Sequence, residues 1–468
     1  MAVEYYTPGV YIEEVSSGSK PMTAAPTNVV GFLGETRKGT LNKPILVTSW
    51  DQYFDNFIGY TLTEKMTPRG VPEKDINGNV VMVDAPFDKV TDLDWGVYVF
   101  FANGGAKCHV VSVNIIADDS GKQDALKKEI DIQTALLAKT KDKEKTSIET
   151  KIEELKTQLA NGVARPNITK ELIGNDGGPN KRTGIKCFKD VSEVAILVAP
   201  GVTTPAVQQE ILSYVEAANI FTILDAPQTL EGLSANNLSA DLNGLSGLSA
   251  KSASKQAALY FPWVNTYDPS IDADIQVAPS GFVAGVYART DNDRGVHKAP
   301  ANETVRLATS LAYTLSDTEQ ESLNMNGINV IRDFADKGIV VWGARTTVSM
   351  IDPEWRYVNV RRLFNMIEKS LEMGTQWAVF EPNDAKLWIA LKRNTVAFLS
   401  RLYKSGAFAG ANRDEAFFVK CDASTNPQES VDAGIVTIEI GIAPVKPAEF
   451  IVFKIAQKSP QDAEEAKS

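Results

Sequence analysis

The residues best suited to catalysis are few, and their spacing does not favour a shared site. The chain contains only two histidines. Cys108 and His109 are adjacent in a predicted strand, where successive side chains point to opposite faces, so we do not expect a catalytic dyad. His297 lies far along the chain in a predicted loop. No GxSxG, HExxH or Walker sequence occurs, so the chain shows none of these local catalytic motifs.

Two polar segments can be compared with ligand-binding loops, and both are better explained as turns. Residues 174–182, GNDGGPNKR, are rich in glycine but lack the GxxxxGK[ST] spacing of a phosphate-binding loop. Residues 291–295, DNDRG, place glycine at the fifth position and Asn302 at the twelfth, whereas a calcium loop needs glycine at the sixth and glutamate at the twelfth. We therefore predict no metal and no cofactor. An α/β enzyme with an active site built from distant residues remains the alternative function.

The composition limits the classes of partner. The chain has 468 residues, 43% of them hydrophobic, which suffices for a large core. Its net charge of −11 argues against nonspecific nucleic-acid binding, which depends on neutralising phosphates. The odd number of isolated cysteines argues against a disulfide framework. No signal peptide and no apolar run of membrane-spanning length is visible, so we expect synthesis in the cytoplasm and no membrane insertion.

Strand and helix patterns alternate along the first two thirds of the chain. Residues 193–199 and 220–225 are predicted strands, and they flank a predicted helix over 205–218 that has proline at its start. This order is a βαβ unit and predicts a partly parallel sheet. Predicted strands over 29–33 and 107–116 add to it. The fold class is therefore α/β, with α+β character.

Residues 327–377 predict a compact helix–strand–helix segment. Ile328, Ile331 and Phe334 recur at helical spacing, which predicts a helix that ends at Gly338. Residues 339–342 are a short buried strand. A second helix follows, with one apolar stripe and a polar face opposite to it. The stripe consists of Val360, Leu363, Phe364, Ile367 and Leu371, and the polar face consists of Arg361, Arg362, Asn365, Glu368 and Lys369.

Two segments are predicted to lie at the surface. Residues 59–87 are rich in Thr, Pro and Asp and predict a polar loop. Residues 118–162 contain two runs of apolar residues with four-three-four spacing, separated by a charged turn at 139–145. This pattern is typical of an antiparallel helical hairpin with a coiled-coil seam. Its charges nearly balance, which favours a solvated insertion, and a docking site for a partner helix is the alternative.

Both termini carry a strand that has no local partner. Val10 and Ile12 lie on one side of the first strand, and Tyr11 and Glu13 lie on the other. The last strand follows two prolines and has the sequence FIVFKI, which is apolar on both faces. It begins with Phe450, Ile451, Val452 and Phe453. A single strand is not stable in water and must pair elsewhere. For the first strand, an edge position on this chain's own sheet is the simpler explanation from the residues alone. An enzyme has little use for two such strands, so they distinguish an assembling protein from an enzyme.

One predicted helix, residues 385–404, is basic although the whole chain is acidic. It contains five basic residues and no acidic residue. We expect part of this surface to contact an inner partner or a neighbouring copy, although a solvated helix face is the simpler explanation. The basic residues are Lys386, Lys392, Arg393, Arg401 and Lys404.

Several stretches of this sequence closely resemble the contractile tail sheath family of phage tails and phage-like contractile injection systems. The stretches are PGVYIEEV, YVFFANGGAKCHVV, APSGFVAGVYARTDNDRGVHKAPAN, VWGART, WRYVNVRRLFN, FEPND and PAEFIVFKI. They cover both termini and most of the chain, except residues 118–186. The resemblance favours a structural protein over an enzyme.

The resemblance implies a multi-domain subunit whose arms exchange strands with neighbours. Residues 1–27 are an arm that joins the inner domain, residues 28–301 are an outer or middle domain with the hairpin inserted at about 118–165, residues 302–447 are the conserved inner domain, and residues 448–468 are the carboxy-terminal arm and tail. Subunits are expected to stack helically around an inner tube and to contract, which drives the tube through a target envelope. The implied partners are further copies, the tube, baseplate and terminal cap proteins, in a particle that can be released from the cell.

Overall fold

The structure is a computed structural model. It describes residues 21–58, 70–74, 80–84, 90–116, 129–130, 132–134, 136–137, 145, 148, 151–152, 168–229, 253–268, 272–348 and 351–452. It is a mixed α/β protein, which confirms the predicted fold class. The predicted amino-terminal strand lies outside the described residues, as does most of the predicted helical hairpin, although the described residues between 129 and 152 are helical.

A nine-stranded sheet organises the first three quarters of the chain. Its order is β11-β14-β13-β8-β7-β6-β1-β5-β2. Its strands are β1 (Val30–Thr36), β2 (Ile45–Val47), β5 (Cys108–Ile115), β6 (Ile196–Val198), β7 (Phe221–Asp225), β8 (Ala257–Phe261), β11 (Glu303–Thr304), β13 (Ile328–Phe334) and β14 (Gly338–Val341). The six strands from β13 to β5 are parallel, and β2, β14 and β11 are antiparallel additions at the edges.

Smaller sheets use the remaining strands. A hairpin pairs β3 (Gly70–Lys74) with β4 (Val80–Asp84), and a three-stranded sheet has the order β10-β9-β12. Its strands are β9 (Val264–Asp268), β10 (Ala273–Val277) and β12 (Ser310–Leu311), and a last pair joins β15 (Phe417–Lys420) to β16 (Glu439–Ile442). The predicted polar loop over 59–87 is thus wrong for the hairpin, whose second strand VVMVD is rich in the β-branched residues that favour strands.

The helices cover the large sheet and build a second unit. They are α1 (Trp50–Tyr53), α2 (Asp92–Ala102), α3 (Thr169–Ile173), α4 (Pro205–Ala218), α5 (Pro279–Arg294), α6 (Asp317–Met325), α7 (Val358–Thr375), α8 (Ala385–Lys404), α9 (Arg413–Ala416) and α10 (Gln428–Asp432). The predicted bounds of α4 and α8 agree with the structure. Residues 291–295 are the last turn of α5 and its cap, so the prediction of a free turn there is wrong.

The two faces of the large sheet have separate cores because side chains alternate along each strand. Phe32, Val198 and Ile223 pack on one face with α2 and α5. Leu33, Leu197 and Leu224 pack on the other face with α3 and α4. Buried on both faces, these strands have nearly continuous apolar sequences.

A third core lies in the carboxy-terminal part, where α7, α8 and β15 pack together. It includes Leu363 and Ile367 from the predicted apolar stripe of α7, which confirms their burial, together with Phe398 and Leu399 of α8. Met22 joins this core from the start of the described chain. The amino-terminal segment is thereby attached to the carboxy-terminal unit, about 350 residues later in the sequence.

The predicted helix over Ile328, Ile331 and Phe334 is wrong, because this segment is β13. The helix lies upstream, as α6, where Ser316 and Glu319 form a reciprocal capping box at its start. Ile328 packs on one side of β13 and Ile331 on the other, so their spacing reflects a strand buried on both faces. Gly338 begins β14 after the turn, with a φ of 68° that suits glycine.

Candidate assembly surfaces

The amino-terminal segment is held along α7 by hydrogen bonds to its backbone. The Ala25 amide donates to Ser370 Oγ over 2.8 Å. The Arg401 guanidinium donates to the Met22 carbonyl, so this basic residue of the predicted surface is engaged in anchoring the arm. Met22 itself is 2% exposed and lies against Gly374, where a Cβ would come within 2.5 Å of Met22 Cγ. The segment that leads to the predicted arm therefore begins from a fixed position.

A buried ion pair joins the same segment to both units. Arg362 donates to the two carboxylate oxygens of Asp291 over 3.0 and 2.6 Å, and it donates to the Thr27 carbonyl over 2.9 Å. Its guanidinium also lies 4.8 Å from the ring centroid of Tyr287. Arg361 is buried as well and bonds Glu368. The predicted polar face of α7 is thus wrong for these two arginines, because tertiary packing covers that face.

The carboxy-terminal segment has its own anchor at Glu449. Arg345 Nε and Nη2 donate to the two carboxylate oxygens over 2.8 and 2.7 Å. Asn324 Nδ2 and Tyr357 OH donate one further bond each, over 3.0 and 3.1 Å. Burial alone would raise the pKa of Glu449, but the bonds from Arg345 and Asn324 outweigh it and hold the pKa below the ordinary value of 4.5. Glu449 is therefore a bound carboxylate near neutral pH.

The residues directly after this anchor are exposed. Phe450, Ile451 and Val452 are 72%, 76% and 76% exposed, and none has a strand partner within the part of the chain that the structure describes. Phe453 lies outside the described residues, as do Val10, Tyr11, Ile12 and Glu13. The roles of these residues as exchanged strands stay predictions. Three consecutive exposed apolar residues are a surface that another chain can cover.

The small sheet of β15 and β16 lies in the same unit. These two strands pair only with each other among the described strands, in the antiparallel register Phe417↔Ile442. Phe418 on β15 is 56% exposed. A two-stranded sheet has unpaired backbone groups at its outer edges, and such edges accept strands from other chains. Alternating apolar and polar residues over 436–442 predict β16, whereas sequence patterns missed the short β15.

The five predicted basic residues of α8 are all exposed, and the structure separates them into groups. Lys386, Arg393 and Lys404 are spaced by seven and eleven residues, so they lie within about 20° of one another and span about 27 Å of the helix. Lys392 lies about 120° away from Lys386. There it faces Asp422, whose pKa is lowered by hydrogen bonds from Ser424 and also by nearby lysine charges. Only Lys386, Arg393 and Lys404 form a stripe along one side of α8.

Exposed apolar residues accompany the start of this stripe. Phe380 is fully exposed and has a φ of 69°, a left-handed conformation that is uncommon for a bulky residue. Val379 and Ile389 are 63% and 64% exposed. Asn383 holds the loop in place by donating to the Ile435 carbonyl over 3.1 Å. Sequence reasoning missed this group because Val379 and Phe380 lie in a loop, where periodicity does not reveal exposure.

One buried carboxylate lies near the place where an α/β enzyme of this topology would bind a ligand, and it makes structural contacts. The carboxyl ends of β1 and β6 flank a hollow of about 220 Å³ at the point where the sheet order reverses, a common place for ligands in such sheets. Asp225 ends the nearby strand β7, and burial raises its pKa to about 7. Both of its carboxylate oxygens accept hydrogen bonds, from Ser280 and from the Gly201 amide. Asp225 therefore ties loops together and presents no free oxygen.

The Cys108–His109 pair does not form a dyad. Cys108 packs in the core with its thiol pKa raised by burial, while His109 Nε2 lies 2.6 Å from Glu193 Oε1. The described residues contain no group of three His, Cys, Asp or Glu side chains placed to hold a metal ion. Among the described helices, none combines the length and the apolar character needed to cross a bilayer.

Two protein-family models match this chain. The family model for the phage tail sheath protein central domain matches residues 188–347, and the model for the phage tail sheath C-terminal domain matches residues 351–458. The chain belongs to the contractile tail sheath family. It is a sheath subunit of a contractile tail or contractile injection system.

Relatives agree along nearly the whole chain. The tail sheath protein of Burkholderia phage BcepMu is 24% identical over 470 residues, 96% of each chain. A chain of the sheath complex of the extracellular contractile injection system PVC, in its contracted state, is 27% identical, with a TM-score of 0.66 over 98% of this chain and 100% of that chain. The contracted helical sheath of the anti-feeding prophage is 25% identical, with a TM-score of 0.63 over 97% of this chain and 100% of that chain.

Proposed function

We propose that this sheath subunit polymerises helically around an inner tube and joins its neighbours by strand exchange through its two terminal arms. Contraction of the lattice then drives the tube through a target envelope. Contacts that do not close on themselves generate a helical tube of subunits instead of a closed ring. Free energy for contraction comes from new subunit contacts, without a nucleotide and without an enzymatic step.

The observation that carries this proposal is the exposed run Phe450–Val452 directly after an anchored residue. A run of this kind would promote aggregation unless another chain covered it. Adding it as a strand to the sheet of a neighbour satisfies its backbone groups and buries alternate side chains. The edges of β15 and β16 supply a place for such a strand, and both belong to the unit that also holds the amino-terminal segment.

The arrangement of domains supports an inner unit that carries both arms. The predicted boundary at residue 302 falls within the nine-stranded sheet, since β11, β13 and β14 continue that sheet to Val341. We propose a boundary near residue 350, between the two segments that the family models match. In this arrangement the unit from residue 351 onward faces the tube, and the large sheet lies outside it.

The stripe of Lys386, Arg393 and Lys404 is the surface we assign to the inner tube. Exposed ion pairs contribute only about 0–1 kcal/mol each. Weak pairs repeated around each ring hold a tube in place and still allow its release. The subunit also needs a baseplate at one end of the sheath and a cap at the other. Synthesis and assembly take place in the cytoplasm, before release of the particle.

Deletion of the arms tests the proposed strand exchange. Chains that lack residues 1–20 or residues 450–468 are expected to fold but not to polymerise, because the body of the subunit retains its cores while the exchanged strands are missing. Negative-stain electron microscopy measures tubes and rings, and circular dichroism measures folding. The full-length chain, prepared in parallel, is the control. Ordered sheaths from either truncated chain would rule out the proposed role of that arm.

A further inference from the structure

We propose that the clamp on Glu449, formed by Arg345, Asn324 and Tyr357, determines where the carboxy-terminal segment leaves its own subunit and thereby directs that segment to a second copy of this chain. The inference rests on the proposed strand exchange and adds to it the residues that position the arm. Three observations and one thermodynamic argument support it: the saturation of the carboxylate, the fixed position of the donors, the exposed apolar run after residue 449 and the entropy of pairing.

The carboxylate of Glu449 is saturated with donors. Each of its two oxygens accepts one bond from Arg345 and one from a neutral group, Asn324 for Oε1 and Tyr357 for Oε2. Bidentate arginine–carboxylate bonds are strong and fix the relative orientation of the two groups. The side chains of Arg345 and Glu449 are 10% and 22% exposed, so water competes little for these bonds. The position of Glu449 is therefore defined in three dimensions.

The donors themselves are held rigidly by the large sheet. Asn329 on β13 bonds both backbone groups of Arg345, accepting from its amide over 2.7 Å and donating to its carbonyl over 2.8 Å. Arg345 Nη1 also donates to the Asn324 carbonyl over 2.8 Å. Gly343 is needed beside this contact, since a Cβ there would come within 2.8 Å of Asn329 Oδ1. The clamp thus ties the carboxy-terminal segment to the body of the subunit.

Large apolar side chains are exposed directly after the clamp. Glu449 is half-buried, whereas the next three residues are apolar and more than two thirds exposed. An anchor placed here adds little to the core of its own subunit, because Phe450, Ile451 and Val452 do not pack on it. The anchor instead gives the apolar run a fixed starting point at the surface.

A fixed starting point favours pairing with a neighbour for an entropic reason. Ordering a flexible residue costs about 1–2 kcal/mol of backbone entropy. Each residue that is already fixed before assembly removes that cost from strand pairing. Releasing the clamp would let the segment sample other directions, so a smaller fraction of subunits would present the strand to the second copy.

Glu449→Gln in the full-length chain is the decisive variant. The amide keeps the size of the side chain, loses the charge and places an NH2 group against donors. We expect the protein concentration needed for sheath formation to rise roughly tenfold to a hundredfold, the range typical of losing a hydrogen bond to a charged group. Tyr357→Phe removes only one donor and should raise the protein concentration needed for sheath formation by a smaller factor. Glu429→Gln, at an exposed glutamate of the same unit, is the matched control and should assemble normally.

Sedimentation and electron microscopy measure assembly, and thermal unfolding of the unassembled chain measures stability. Normal assembly of Glu449→Gln would overturn the inference while leaving strand exchange intact. Loss of assembly in proportion to loss of monomer stability in both clamp variants would also overturn it, since the clamp would then only stabilise the fold. Assembly by a chain that lacks residues 450–468 would contradict the proposed function itself, whatever the clamp variants do.

Discussion

Arg362 and Asp291 show how single residues connect the two units of the subunit. Their side chains are 3% and 2% exposed, and the pair links α7 to the end of α5. Because Arg362 also bonds the Thr27 carbonyl, the same residue fixes the start of the large sheet relative to the carboxy-terminal unit. Burying two charges is costly, and the pair is retained with each charge satisfied by the other.

Breaking this pair is expected to destabilise the unassembled chain strongly. Arg362→Met would leave the Asp291 carboxylate buried without its partner, and the free energy of unfolding should fall by roughly 3–5 kcal/mol. Denaturant unfolding followed by fluorescence measures the change. Arg413→Met, at an arginine whose side chain is 57% exposed, is the control and should change the free energy of unfolding by about 0–1 kcal/mol. Equal effects of the two substitutions would contradict the structural role assigned to Arg362.

The helix α8 has a packed side and a basic exposed side around its circumference. Leu387, Leu391, Phe398 and Leu399 are buried on one side. Lys386, Arg393 and Lys404 form the exposed stripe on the other side. A helix can do both because side chains three, four and seven residues apart share a face.

Charge reversal of the stripe tests its role in holding the tube. The triple substitution of Lys386, Arg393 and Lys404 to Glu should leave α8 folded and the sheath assembled, with a larger fraction of empty sheaths, because attraction to the tube becomes repulsion. Electron microscopy of sheaths assembled with the tube protein counts filled and empty particles. Lys392→Glu, on another side of the helix, is the control.

The salt dependence of this experiment tests whether the contact is electrostatic, and assembly without the tube protein distinguishes the possible partners. Surface charges are screened at higher ionic strength, so the difference from the unaltered chain should shrink as salt is added. Unchanged filling at low and at physiological salt would rule out the contact with the tube. Failure to assemble even without the tube protein would show that the stripe contacts a neighbouring sheath subunit instead.

At the scale of the whole molecule, the subunit combines a rigid body with separable additions. The predicted hairpin is inserted between β5 and α3, and these two elements pack against each other. A short connection can therefore join them. The anchored segments at both ends, by contrast, are tied to the third core and to the sheet, so the strands that we propose to exchange begin from fixed points.

Removal of the hairpin should leave assembly intact. Replacing Ser120–Gly162 with a short Gly/Ser linker is expected to give sheaths that form and contract normally, because the two predicted helices satisfy each other's apolar seam. Electron microscopy before and after a contraction trigger measures both steps. A linker chain that folds as a monomer but fails to assemble would place the hairpin within the lattice.

Local patterns predicted the elements whose residues follow a single rule. The βαβ unit around α4 and the basic helix α8 were found from periodicity and proline placement, because each buries one regular stripe. The same rule failed for β13, where Ile328 and Ile331 face different cores and their spacing imitated a helix. A strand buried on both faces has no alternation to read, so only its neighbours β8 and β14 identify it.

By itself, the sequence determined the fold class and the family, because these depend on local composition and on recognisable motifs, whereas the two terminal strands stay predictions. Only the tertiary structure brought Arg345 to Glu449 and Arg362 to Asp291, since each pair joins residues about 70 to 100 positions apart. It also showed that Lys386, Arg393 and Lys404 form a stripe and that Arg401 bonds the amino-terminal segment. The physical reason is that burial and ion pairing depend on distances across the fold, and sequence spacing fixes distance only within a single helix or strand.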